Sequence, residues 1–204
     1  MNFFDFKQAN LERGCFSIHG LKESSRAALS SNLSRWTREG RLIKLRSGWY
    51  AFPERIRSFS DRMFIANSIY SPSYISLFTA LSLYEMIPES VTAITSVTTL
   101  KTTSFESKAG VFAYKSMKPD LFFGYNPVVD RTALPYLMAT PEKALLDLIY
   151  LYPEYKTEDD AKNLRLDEDF MKKVFSWTKA EEYLQRYGSS AMSSRFSAIE
   201  SVYR

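Results

Sequence analysis

Two periodicities follow one another at the start of the chain. Phe3, Phe6 and Leu11 fall at helical spacing before Gly14, which predicts a short first helix over residues 2–13 closed by a glycine. Residues 18–22 read as a brief second helical piece. Ser24 and Ser25 are good N-caps for a third helix, residues 26–39, which has no interior Pro or Gly and stops at Gly40. On it Leu29, Leu33 and Trp36 form one apolar stripe at i, i+4 and i+7, and the opposite face presents Ala27, Ser31, Ser34 and Arg38, flanked by Ser30 and Arg35. After Gly40 the period becomes two: Leu42-Ile43-Lys44-Leu45-Arg46, a Ser47-Gly48 turn, then Trp49-Tyr50-Ala51-Phe52 before Pro53. A hairpin closed at Ser47-Gly48 pairs Arg46 with Trp49, Leu45 with Tyr50, Lys44 with Ala51 and Ile43 with Phe52. That register sends Ile43, Leu45, Tyr50 and Phe52 to a core and Lys44 and Arg46 outward. Helix, helix, reading helix and a two-stranded wing is the order of a winged helix-turn-helix, expected over residues 1–55.

Residues 56–62 form a charged connector to a second domain over residues 63–204. From Met63 to Tyr84 there is no charged residue, about the length of a membrane span, yet Asn67, Ser68, Ser71, Ser73, Ser76, Thr79 and Ser82 make it too polar for lipid and assign it to a buried core. It divides into a helix over residues 63–70 and a second helix capped by Ser76, with Leu77, Phe78, Ala80, Leu81 and Tyr84 inside. Strands are predicted over residues 91–99, 110–117, 121–125 and 134–139. Thr140-Pro141 opens the most strongly marked helix, with Glu142 beside the positive end of its dipole and Ala144, Leu145, Leu148, Ile149 and Leu151 facing inward up to Pro153. Residues 157–204 read as a helical tail broken near Asp167 and Gly188, its last helix striped by Met192, Phe196, Ile199 and Tyr203. The expected class is therefore mixed α+β: a winged helix-turn-helix followed by a larger α/β domain with a helical tail.

Charge separates the two parts. Residues 1–62 hold 12 Lys and Arg against 6 Asp and Glu, and residues 63–204 hold 15 against 17. A basic first third on a mildly acidic remainder is the asymmetry expected when one domain meets a polyanion. Small residues let a helix lie deep in the major groove, hydroxyls bond to bases or phosphates, and arginines pair with phosphate or guanine. DNA contacts are accordingly expected from Arg26, Arg35, Lys44 and Arg46 on phosphates and from Ser31, Ser34 and Arg38 in the groove, with Ser30 and Ser47 alongside. At 204 residues the chain is too short for a long multi-domain enzyme, and 45% hydrophobic residues supply a packed core. The first residues, Met1 to Asp5, lack the basic start and apolar run of a signal peptide, which points to the cytoplasm.

Chemistry is sparse. Cys15 and His19, the single residues of their types, leave too few soft ligands for structural zinc; Cys15 reads as a small core residue, and His19 lacks an evident Ser or Asp partner for a triad. Asp120 with Glu154-Tyr155-Lys156 superficially matches a metal-dependent nuclease, whose carboxylates hold the metal, but there the Glu-x-Lys belongs on a core strand and here it follows Pro153 in a polar loop. Glu142, Lys143 and Asp147 read as structural, the first on the helix dipole and the other two as an i, i+4 pair. Gly110 and Gly124 are isolated and make no phosphate loop.

Three runs together suggest a family. Residues 33–51, Leu-Ser-Arg-Trp-Thr-Arg-Glu-Gly-Arg-Leu-Ile-Lys-Leu-Arg-Ser-Gly-Trp-Tyr-Ala, resemble the wing region of AbiEi-type antitoxins. Residues 74–81, Tyr-Ile-Ser-Leu-Phe-Thr-Ala-Leu, and 139–148, Ala-Thr-Pro-Glu-Lys-Ala-Leu-Leu-Asp-Leu, are similar to that family's later segments and follow in its order. The resemblance implies a bacterial or mobile-element type IV toxin–antitoxin (abortive infection) system. Its N-terminal winged helix represses the operon on inverted repeats in double-stranded DNA, and its C-terminal domain counters a nucleotidyltransferase toxin without a stable complex. The primary expectation is a non-enzymatic DNA-binding antitoxin and autorepressor with no cofactor, metal or membrane partner. The alternatives are a winged-helix regulator whose second domain senses a small ligand and, third, a metal-dependent nuclease.

Overall fold

The computed structural model describes residues 2–129 and 134–204. Its class is mixed α+β. The first unit runs α1 (Phe3–Asn10), β1 (Cys15–Ser17), α2 (Glu23–Arg38), β2 (Ile43–Arg46) and β3 (Trp49–Ala51), with the strands in one antiparallel sheet of order β1-β3-β2. Asn2 caps α1 by accepting from the Asp5 N–H, a 3-10 turn extends it over Leu11–Arg13, and Gly14 takes φ 71°. Gly40, at φ 75°, ends α2, while the N–H groups of Arg41 and Leu42 return to the Trp36 carbonyl.

Three local expectations are corrected. No helix forms over residues 18–22; the chain instead makes β1 and then a turn in which the Ile18 N–H donates to Gly48 O at 2.9 Å. Five residues with Gly20 among them cannot offset the cost of helix nucleation. Ser24 and Ser25 lie inside α2 rather than capping it, for the helix starts at Glu23 and its N-cap, Lys22, makes no capping bond. The hairpin keeps Arg46 opposite Trp49, but a bulge at Leu45 then pairs Lys44 with Tyr50 and Ile43 with Ala51. A bulge turns one side chain away from its expected face. Leu45 accordingly leaves the face shared by Tyr50 and Phe52.

Each face of this small sheet therefore meets a different core. On one side Phe16, Tyr50 and Phe52 join Phe6, Leu33, Trp36 and Leu42 in an aromatic cluster, with Phe6 edge-on to Phe16 at 5.3 Å and 5.0 Å from Trp36. On the other side Cys15, Leu45 and Ala51 belong to the large core of the rest of the chain.

That remainder begins at α3 (Phe59–Ile69), so residues 59–62 of the expected connector are the helix's first turn, fixed by a capping box of Ser58 and Asp61. Then come β4 (Ser73–Ile75), α4 (Leu77–Leu83), β5 (Ala93–Thr98), β6 (Thr103–Ser107), β7 (Gly110–Ser116), β8 (Tyr125–Val128), β9 (Tyr136–Ala139) and α5 (Pro141–Leu151). The six strands lie in the order β6-β7-β5-β4-β9-β8, with β5/β7 and β4/β9 parallel and the other neighbours antiparallel. The strand expected at residues 121–125 is instead a 3-10 turn, Pro119–Leu121, followed by β8 from Tyr125. The tail divides into α6 (Glu158–Asn163), α7 (Glu168–Lys173), α8 (Trp177–Gln185) and α9 (Ser190–Tyr203), whose stripe Met192, Phe196, Ile199 and Tyr203 is buried as predicted. Residues 63–84 fold into α3, β4 and α4, and among the described residues no helix is long and apolar enough to cross a membrane.

Thr140 caps α5 by accepting from the Lys143 N–H, and Pro141 occupies its first turn. Every residue from Glu142 to Ile149 is buried, because α4, α8 and α9 enclose the helix.

Candidate functional site

The outer face of α2 is the candidate interface. Leu33 and Trp36 are 1% exposed and anchor the helix to the aromatic cluster, with Leu29 partly buried beside them. Anchoring one stripe fixes what the others present. Arg26, Ser30, Ser31, Ser34, Arg35 and Arg38 are all exposed, as are Lys44 on β2 and Ser47 at the hairpin tip.

These cations differ in how they are engaged. Arg26 donates from Nη2 to the carbonyls of Leu21 at 3.2 Å and His19 at 3.4 Å, holding the segment that leads into the helix. Arg35 donates to Asn32 Oδ1 at 3.0 Å and stands 4.0 Å from Glu39. The side chains of Arg38 and Lys44 make no hydrogen bond or ion pair with any described residue. Several acids of this unit are already matched: Glu54 to Lys7, Glu12 to Arg55, Glu39 to Arg41. The positive charge of the α2 face is thus left facing solvent.

Arg46 departs from the group. It is partly buried, donates to Ile69 O at 2.8 Å, and lies over the rings of Phe105 at 4.7 Å and Tyr70 at 5.5 Å. Its guanidinium fastens the hairpin to the large unit, a role sequence reasoning missed because its partners lie 23 or more residues away.

His19, read as lacking a Ser or Asp partner, packs on the hairpin tip. Its Nε2 lies 3.0 Å from Ser47 O, and a Cβ on Gly48 would stand 2.4 Å from the same nitrogen. A Cβ there would push the exposed His19 ring aside, and the φ of 72° at Gly48 is one that glycine adopts without strain.

The second constellation is buried. Lys143 and Asp147, expected as a structural i, i+4 pair, form an ion pair at 0% side-chain exposure. Asp147 also accepts from Tyr74 at 2.9 Å, Ser76 at 2.8 Å and Tyr187 at 3.2 Å, while Lys143 donates to Tyr187 at 3.0 Å and sits 4.8 Å from the Phe123 ring centre. Ser76 consequently spends its hydroxyl on Asp147 and makes no side-chain cap on α4. Burial lowers the Lys143 pKa while Asp147 opposes the shift, and burial beside Asp147 raises both Tyr74 and Tyr187 far above the ordinary tyrosine value. With every acceptor and donor turned inward and no solvent access, this network positions α5 against β4 and α8.

The remaining chemistry stays dispersed. Asp120 is exposed on a 3-10 turn, Glu154 and Lys156 are exposed in the loop after α5, and no group of three or more His, Cys, Asp or Glu among the described residues has metal-binding geometry. Cys15 is buried, and desolvation pushes its thiol up to about 11. No family model matches the chain, and no curated protein matches it.

Proposed function

We propose that the protein is a DNA-binding regulator that lays α2 in the major groove of duplex DNA and rests the β2–β3 hairpin on the backbone as a wing. The observation that carries this reading is the outer face of α2: small and basic residues exposed along its length, with Arg38 and the neighbouring Lys44 free of acidic partners among the described residues. A groove-entering helix needs a face without bulk, and the phosphates need cations that are not already neutralised. The first turn of α2 adds unpaired N–H groups and the positive end of the helix dipole, which favour an anion. Arg26, Arg35 and Lys44 take phosphates, and Ser31, Ser34 and Arg38 take the groove. Here α2 is braced by the aromatic cluster, to which Phe6 of α1 and the sheet residues Phe16, Tyr50 and Phe52 contribute.

Following the resemblance to AbiEi-type antitoxins, the regulated promoter is the protein's own. The larger unit then counters a nucleotidyltransferase toxin encoded beside it, in the cytoplasm and without a stable complex. One such unit covers few base pairs, so two copies on an inverted repeat, spaced by about one helical turn of roughly 34 Å, give the specificity a promoter requires. Gel shifts on the protein's own upstream sequence at rising salt test the first part. Binding that weakens steadily with salt supports it, and equal affinity in a protein with Arg35, Arg38 and Lys44 all replaced by Ala overturns it. Co-expression with the neighbouring open reading frame tests the second: relief of growth arrest is expected, and no relief removes the antitoxin role while leaving DNA binding in place.

A further inference from the structure

We propose that His19 is a positioning residue: its ring and its main chain fasten the tip of the β2–β3 wing to the start of α2, and so set where the wing stands relative to the reading helix. The inference rests on the DNA-binding reading of α2 and the hairpin, and it names what holds those two parts in register.

Residues 18–22 lead from β1 to α2 and touch the wing on the way. The β1–β3 ladder runs through Phe16 opposite Tyr50 and Ser17 opposite Trp49, and its last main-chain bond is the Ile18 N–H to Gly48 O at 2.9 Å. A tight turn follows, in which the Leu21 N–H donates to Ile18 O at 3.2 Å and the His19 N–H donates to Ser17 Oγ at 3.1 Å. From that turn the His19 ring reaches back over the hairpin, with Nε2 3.0 Å from Ser47 O. A carbonyl oxygen only accepts, so Nε2 carries the proton and donates it. Gly48 leaves the ring its place, since a Cβ there would stand 2.4 Å from the same nitrogen.

The other half of the brace is the His19 main chain. Its oxygen accepts from Arg26 Nη2 at 3.4 Å, and the same nitrogen donates to Leu21 O at 3.2 Å. Arg26 belongs to α2, so one residue joins the wing tip by its ring and the reading helix by its carbonyl. Arg26 keeps Nε and Nη1 for a phosphate. The aromatic cluster seats Tyr50 and Phe52 against Trp36, but Ser47 and Gly48 lie beyond it, and Arg46 ties the hairpin to the large unit. Groove and phosphate contacts made by two separate elements need those elements held in a fixed relation, which is the work of supporting hydrogen bonds.

The test uses the full chain. His19→Ala should weaken binding to the protein's own promoter by roughly three- to tenfold, the scale of one hydrogen bond lost. His19→Gln, whose amide N–H can stand in for Nε2–H, should restore most of it. Neither should change the salt slope, whereas Lys44→Ala lowers it by about 1. The loss from Lys44→Ala should also shrink in the His19→Ala background, because a misplaced wing has less contact to lose. Without DNA, the Ile18 amide should exchange with solvent faster in His19→Ala than in the native chain, by NMR. A salt slope reduced in His19→Ala makes the ring a phosphate ligand and overturns the proposal, as do unchanged affinity, a Gln variant as weak as the Ala one, or unchanged Ile18 exchange. If the native chain binds no duplex, the DNA-binding reading falls and Ile18 exchange alone decides whether the brace exists. If His19→Ala fails to fold, His19→Asn, whose amide is one carbon shorter than that of Gln, takes its place.

Discussion

Arg46 donates from Nη1 to the main-chain oxygen of Ile69 at 2.8 Å, joining the end of β2 to the end of α3. The same guanidinium covers Phe105 on β6, so one side chain ties the hairpin to a helix and a sheet edge together. Arg46→Ala should therefore cost about 1.5–3 kcal/mol in urea unfolding, the range for a lost charged hydrogen bond. Arg46→Lys should recover only part of it, because a point charge cannot both reach the carbonyl and lie flat on the ring.

The exposed cations should behave differently. Arg38→Ala is expected to weaken DNA binding by about 1–3 kcal/mol if it reads a base, and Lys44→Ala to reduce the salt slope by about 1. Arg46→Ala should leave that slope unchanged at a temperature where the variant is folded. Parallel gel-shift titrations at several salt concentrations make the comparison.

Breaking the buried pair from one side leaves the other charge stranded. Lys143→Met should destabilise the protein by about 3–5 kcal/mol. Adding Asp147→Asn should return part of that loss, since the amide oxygen still accepts from Tyr74 and Ser76 while the stranded charge is gone. Chemical denaturation of the two single variants and the double closes the cycle.

Alkali should unfold the protein through its tyrosines. Burial raises Tyr84 from 10 to about 12, and raises Tyr74, Tyr114 and Tyr187 further. A group protonated in the fold but ionised when unfolded contributes stability that is whole below the unfolded value of 10 and is lost as pH climbs past it. Lys143, lowered by burial, runs in the opposite sense, its penalty easing as pH approaches 10.5, but it is one group against four. Stability should fall above pH 10, and absorbance at the phenolate band should show these tyrosines ionising only with unfolding. The Cys15 thiol, raised to about 11, should react slowly with iodoacetamide at pH 8 in the folded protein.

A fragment ending at residue 55 should fail to fold cooperatively. It retains the aromatic cluster but uncovers Cys15, Leu45 and Ala51, which the large core buries in the full chain. Calorimetry should show no transition for the fragment and a single one for the whole protein.

Elements with strong local signals were legible in the sequence. The Leu29, Leu33, Trp36 stripe and the Thr140-Pro141 start each rest on residues close together in the chain, and the structure agrees on both. The exposure of the opposite α2 face followed from the stripe alone. What was hidden depended on distant partners. Cys15-Phe16-Ser17 is too short to announce a strand without β3 beside it. The Leu45 bulge answers a demand from the large core. Lys143 and Asp147 match an ordinary surface pair, and only the apolar residues flanking them on every side of α5 hinted that this helix has no outer face.

Residues 21–28 are exposed on every side, so the first two turns of α2 are supported by their own ladder and by the Arg26 bonds to Leu21 and His19, with no layer of side chains beneath them. Helical turns without a hydrophobic partner are marginal in water. Their amide protons should exchange with deuterium far sooner than those near Leu33 and Trp36. A partner that closed over this end of the helix would therefore also hold these turns in place, and discrimination among partners would depend on how stiffly each does so.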